Sequence, residues 1–197
     1  MDFQTILDHY YPDDDDLRRL LLFHSRQVAE RALATCRKHP ELGLDTQFVL
    51  EAAMLHDIGI RWCHAPSIFC RGDEHYLRHG YIGGQLLREE GFPLHARVCE
   101  RHTGTGITQA PTYGNRLGDS PSAITHRPDD FILPPDLVAQ GFFVPETLEE
   151  QLVCYADKFF SKSHPSRVLT IEQAAHDLER FGHEGVEKFI SWAQMFD

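Results

Sequence analysis

The chain has 197 residues, of which 42% are hydrophobic and 25% charged, and a formal charge of −11. That is an ordinary globular composition with room for one sizeable core. The acidic balance argues against a nucleic-acid polymer as main partner, because phosphate backbones need a basic face. It leaves room for a small phosphorylated, nucleotide-like substrate, since bound divalent cations reverse the field locally.

No apolar run approaches a membrane span, and Met1-Asp2-Phe3-Gln4 lacks the basic-then-apolar layout of a signal peptide. A cytoplasmic protein without a membrane partner is expected, with its oligomeric state left open.

In chain order the pattern predicts helices. Asp13 to Asp16 place acids at a helix start, where the macrodipole favours them. Leu17, Leu20, Leu21, His24, Val28, Ala32 and Cys36 then recur at spacings of three and four, a helical stripe with His24 inside its apolar face. Pro40 and Gly43 end it. Further helices are expected at about 46–57, 74–90 and 94–103. Residues 104–144 are rich in Gly, Pro and Thr and lack periodicity; the expectation there is a long functional loop at the mouth of a site. Tyr113, Arg116 and Arg127 are its residues best suited to stack on a base or bind a phosphate.

Helical patterning resumes at Thr147-Leu148-Glu149-Glu150, which has the form of a capping box. It runs to about Lys162, and two short helices follow near 170–181 and 183–195. The fold class predicted is all-α: a compact bundle forming a single domain over 1–197, with core about 20–162 and C-terminal helices 165–197. No sheet is expected beyond a short hairpin in 104–144.

Cys36, Cys63, Cys70, Cys99 and Cys154 contain no C-x-x-C and are odd in number. They read as reduced thiols, and Cys63 with Cys70 lacks the usual zinc spacing.

The chemistry centres on Leu55-His56-Asp57-Ile58-Gly59, which follows the apolar run Phe48 to Met54. Burying an imidazole beside a carboxylate is costly unless something satisfies them, and a divalent metal does so. Four more candidates lie on or at the ends of predicted helices: His24, His79 in Tyr76-Leu77-Arg78-His79-Gly80, His102 in Cys99-Glu100-Arg101-His102-Thr103-Gly104, and Asp157 in Tyr155-Ala156-Asp157-Lys158. Facing helices are a standard place to build such a site. His75, four residues before His79, is a competitor or an outer donor. His9, His39, His64, His95, His126, His164, His176 and His183 read as surface or loop residues. Lys158 is a candidate phosphate contact beside Asp157, whereas Arg61, Arg78, Arg101 and Lys162 read as solvated charges.

This ordered set resembles the HD superfamily of metal-dependent phosphohydrolases, in the variant with Ile-Gly after His-Asp and two further histidines before the last Asp. The resemblance covers about residues 20–162. It implies two divalent metal ions, Fe or Mn first, with Zn, Ni, Co or Mg as alternatives. His24, His56, Asp57 and Asp157 would hold one, His79 and His102 the other, with Asp57 bridging. It implies hydrolysis of a phosphomonoester, phosphoanhydride or phosphodiester by a metal-bound hydroxide, with Asp57 as a catalytic residue; Lys158, by its place beside Asp157, is the second catalytic candidate. Many members carry Lys after His-Asp-Ile-Gly, where this chain has Ile60 and Arg61. A di-iron oxygenase and a non-enzymatic metal- and ligand-binding regulatory module are the alternatives on the same ligands.

Overall fold

A computed structural model describes residues 2–104, 144–179 and 182–197. The described chain is mostly helical. In order it forms α1 (Phe3–Tyr10), α2 (Asp16–Lys38), α3 (Thr46–Leu55), α4 (His79–Glu89), α5 (Pro93–Arg101), α6 (Leu148–Asp157), α7 (Ile171–Glu179) and α8 (His183–Phe196). Most of the 104–144 loop, with Tyr113, Arg116, Arg127 and His126, lies outside the described residues.

Several helices begin on a side-chain cap. The side chains of Asp2, Asp15 and Asp45 accept backbone N–H bonds at the starts of α1, α2 and α3, satisfying donors that the first turn would leave orphaned. The Thr147–Glu150 capping box is closed in both directions at α6. Gly43, at φ +63°, reverses the chain after the 3-10 turn Pro40–Leu42, a left-handed conformation that glycine adopts without penalty.

Helix α2 lies along α3 and α6, α3 also meets α5 and α6, and α8 closes over α6 and α7. The stripe expected on α2 is buried, Leu21, Val28 and Ala32 completely, and Tyr155, Phe159, Phe189 and Phe196 fill the far end of the core.

The strand expectation is corrected. Two hairpins form outside 104–144: β1 (His64–Ala65) with β2 (Cys70–Arg71), and β3 (Phe160–Ser161) with β4 (His164–Val168), both antiparallel. Strands of two to five residues are too short to leave a period-two pattern. The 74–90 helix is also shorter than expected, because a 3-10 turn at Tyr76–Arg78 precedes α4. Helix α1 was not expected; its Ile6 and Leu7 are buried.

Two glycines set the spacing that matters for the site. A Cβ on Gly59 would lie 2.1 Å from the His79 carbonyl oxygen, and one on Gly80 would lie 2.5 Å from the Cys99 carbonyl oxygen. Helix α4 is therefore pressed against the 3-10 turn Ile58–Trp62 on one side and α5 on the other. That approach carries His79 to both Asp57 and His102.

Candidate metal centre

Helix α3 stops at Leu55, so His56 and Asp57 occupy its end, with the chain turning into 3-10 geometry immediately after. His24 comes from the middle of α2, His79 opens α4, His102 follows the last residue of α5, and Asp157 is the last residue of α6. The structure brings all six together. His24, His56, Asp57, His79 and His102 are buried, and the Asp157 side chain is 13% exposed.

The two oxygens of Asp57 divide the cluster. Oδ2 lies 3.3 Å from Nε2 of both His24 and His56. Oδ1 lies 3.4 Å from His79 Nε2 and 3.5 Å from His102 Nε2. Asp157 Oδ1 completes the first group, 3.0 Å from His24 Nε2 and 3.6 Å from His56 Nε2. His79 Nε2 and His102 Nε2 are 3.0 Å apart.

Three of the imidazoles are oriented by the backbone three residues earlier. Nδ1 of His56 donates to the Ala53 carbonyl at 2.7 Å, His79 to Tyr76 at 2.6 Å and His102 to Cys99 at 2.6 Å. A carbonyl oxygen only accepts, so each Nδ1 carries a proton and each Nε2 is directed inward. This is the arrangement that outer hydrogen bonds impose on metal-ligating histidines.

Protons do not satisfy the second group. Burial drives His79 down to about 3, more than Asp57 opposes, and burial also lowers His102. Two neutral rings therefore direct lone pairs at each other across 3.0 Å, beside a carboxylate oxygen that has no hydrogen-bond partner. Such a contact between acceptors is unfavourable unless a cation lies among them. The first group differs. Burial opposes charge on His56, but Asp57 and Asp157 outweigh it and raise its pKa to about 9. Burial likewise opposes ionisation of Asp57, yet Lys162 and His56 hold it well below the usual carboxylate range.

Donor chemistry, inward orientation and orphaned buried atoms all fit two divalent cations. His24, His56, Asp57 and Asp157 would take one, and Asp57, His79 and His102 the other.

Other expectations resolve by position. The Lys158 ammonium donates to Asp157 Oδ2 at 2.8 Å and to the His102 carbonyl at 3.1 Å; it ties α6 to the end of α5. Lys162, expected as a solvated charge, is instead drawn into the centre, its Nζ 2.6 Å from Asp57 Oδ2. Nothing local marks it, because the contact joins the β3–β4 turn to the end of α3. His95, expected at the surface, is buried and meets Glu51 at 3.1 Å. Its spacing to Cys99 and His102 was the available signal, since all three share the inner face of α5. His75 caps the following turn by accepting from Leu77 N–H at 3.2 Å. All five cysteines are free and buried. Among the described residues, no helix is long and apolar enough to cross a membrane.

Comparison with known proteins corrects the expected family and activity. No family model and no solved structure matches the chain. A protein of Thermoplasma volcanium named tRNA (cytidine(56)-2'-O)-methyltransferase is 28% identical over 177 residues, covering 89% of this chain and 41% of the relative. One of the same name from Picrophilus torridus is 25% identical over 173 residues, covering 83% and 40%. An uncharacterized protein of Methanocaldococcus jannaschii is 33% identical over 137 residues, covering 68% and 62%. The chain thus spans about two fifths of the length of the two methyltransferases.

These names overturn the assignment to the HD hydrolases, the phosphohydrolase activity and the small phosphorylated substrate, and they lend no support to the oxygenase and regulatory-module alternatives. A set of N and O donors specifies a class of metal, and the same set serves unrelated reactions on many scaffolds. The exclusion of a nucleic-acid polymer falls as well, because net charge is a whole-chain sum and says little about the field at one cleft.

Proposed function

We propose that this chain is the metal-binding unit of an enzyme acting on tRNA, with a two-cation centre built on Asp57. The observation that carries the reading is the pair of neutral imidazoles, His79 and His102, meeting Nε2 to Nε2 at 3.0 Å against the orphaned Oδ1 of Asp57. The relatives named for a tRNA modification support the substrate class.

The donor set suits Mn, Fe, Zn, Co or Ni better than Mg, which prefers oxygen ligands throughout. Divalent cations held there supply Lewis acidity, polarising an oxygen of a bound nucleotide and offsetting its negative charge. The chain's own residues do the rest. Asp57 joins the two halves of the centre. The carbonyls of Ala53, Tyr76 and Cys99 fix three rings in the tautomer that turns Nε2 inward. Lys158 holds Asp157 in place and adds positive charge, and Lys162 adds more against Asp57. In a chain of net charge −11, this is where a phosphodiester finds an attractive field.

The test combines metal analysis of the purified protein with binding of a labelled tRNA transcript, before and after chelation, and a methyl-transfer assay on the same transcript. About two equivalents of metal and tRNA binding lost on chelation are expected. Protein without metal, or with metal but indifferent to tRNA, overturns the reading. Methyl transfer by this chain alone would place that activity in the matched two fifths of the relatives.

A further inference from the structure

The two lysines beside the centre are held differently. Lys158 has two anchors, the Asp157 carboxylate and the His102 carbonyl. Lys162 sits in the tight turn between β3 and β4, with its side chain 12% exposed, and its ammonium pairs with Asp57 Oδ2 at 2.6 Å. That oxygen is already surrounded: His24 Nε2 and His56 Nε2 are each 3.3 Å from it. A divalent cation among His24, His56 and Asp157 needs the same oxygen. An ammonium 2.6 Å from it would then stand within bonding distance of the cation's own ligand, with two positive charges in one buried space.

On the two-cation reading above, we propose that Lys162 is a displaceable counter-ion of the centre. It neutralises Asp57 until the first cation takes Oδ2. Its ammonium is then released to the edge of the centre, where it anchors an anionic phosphate oxygen of the bound nucleotide. The hairpin makes this a local exchange. Pairing of Phe160 with Val168 and of Ser161 with His164 holds the backbone on either side of the turn, so the freed head swings on its four-carbon stem. Charge favours the second position: two divalent cations, two carboxylates and the two lysines leave a net positive cluster that calls for an anion.

The experiment compares wild type with Lys162→Met and Lys162→Arg by calorimetric titration of chelated protein with Mn²⁺, then of the loaded protein with inorganic phosphate. Removing the competitor should tighten the first Mn²⁺ about tenfold and weaken phosphate about tenfold, with the Arg variant near wild type in phosphate binding. A second measurement needs no variant: reductive methylation of wild type mapped by mass spectrometry. Lys162 should be protected in chelated protein and labelled several-fold faster after Mn²⁺ is added, while Lys158 stays slow. If wild type binds Mn²⁺ and neither affinity nor labelling changes, this proposal alone fails. If wild type binds no Mn²⁺ and the Met variant is merely destabilised, Lys162 is a permanent ion-pair partner, and both this proposal and the metal reading fail.

Discussion

Within one turn of α5, two buried groups meet opposite surroundings. Glu100 is gripped by Arg88, whose second nitrogen lies 2.8 Å from Oε2. Its neighbour in the same network, Glu150, accepts from Arg97 Nε at 2.7 Å and from the backbone N–H groups of Glu146 and Thr147. These carboxylates have donors on both oxygens. His102, two residues after Glu100, faces another neutral ring and an unpartnered carboxylate oxygen. A buried polar group that exists for the fold finds its complement in the protein, because leaving it unmade costs about 1–3 kcal/mol. Among the described residues such orphans gather at the centre, where His24 Nδ1, His56 Nε2 and Asp57 Oδ1 all lack a hydrogen-bond partner, and a cluster of that kind suits something that arrives from outside. The Arg–Glu network and the centre use different side chains, Glu100 on α5 and His102 just after it, so they can be perturbed separately.

The largest effect is expected at Asp57. Asp57→Ala removes the shared ligand of both groups, and metal content should fall from about two equivalents to near zero. Mass-spectrometric metal analysis checks this; retention of two tightly held equivalents would mean the halves do not share Asp57.

His79→Ala and His102→Ala should each leave about one equivalent, because the His24–His56–Asp157 side keeps its donors. Metal content unchanged in both variants would show that the 3.0 Å ring pair serves the fold, and the contrast with Glu100 would collapse.

Glu100→Ala is the reciprocal cut. It breaks an ion pair with an Arg88 side chain that is 43% exposed, so water recovers part of the loss. A destabilisation of about 2 kcal/mol is expected by denaturant titration, with metal content intact. Loss of metal in this variant would show that the two regions are one unit.

What could be read from the chain divides along the same line. The α2 stripe carrying His24, the end of α3 at His56 and Asp57, and the Thr147–Glu150 box are local patterns, visible because helical period and capping are written in consecutive residues. The candidate site was legible as six residues of two types, His and Asp, at helix faces and ends. The contacts that complete it were not. Lys162 reaches Asp57 from another element, Gly59 matters for the carbonyl of His79, and His95 meets Glu51 on a neighbouring helix. None of these pairs lies within a turn of the other, so no periodicity announces them. The reaction class was least legible, since identical donors serve different substrates.

The smallest effect concerns the titration of the first group. In chelated protein His56 titrates at about 9, because Asp57 and Asp157 outweigh the burial that opposes its charge. Its unfolded value is near the usual 6.5. A group raised on folding contributes stability that is fully present below its unfolded pKa. That contribution is lost as pH rises through the folded value. The chelated protein should therefore lose Tm between about pH 6.5 and 9, at roughly 2–4 °C per kcal/mol for a chain of this length. With saturating Mn²⁺ the imidazolium is replaced by a metal-ligated neutral ring, and the slope over this window should flatten or reverse, because binding now releases a proton. Glu100→Ala should lower Tm at every pH while keeping the wild-type slope, since the network it disrupts does not touch His56. An equal slope with and without Mn²⁺ would show that His56 is not a ligand, and the first group would then be an ordinary buried ion pair of the kind seen at Glu100.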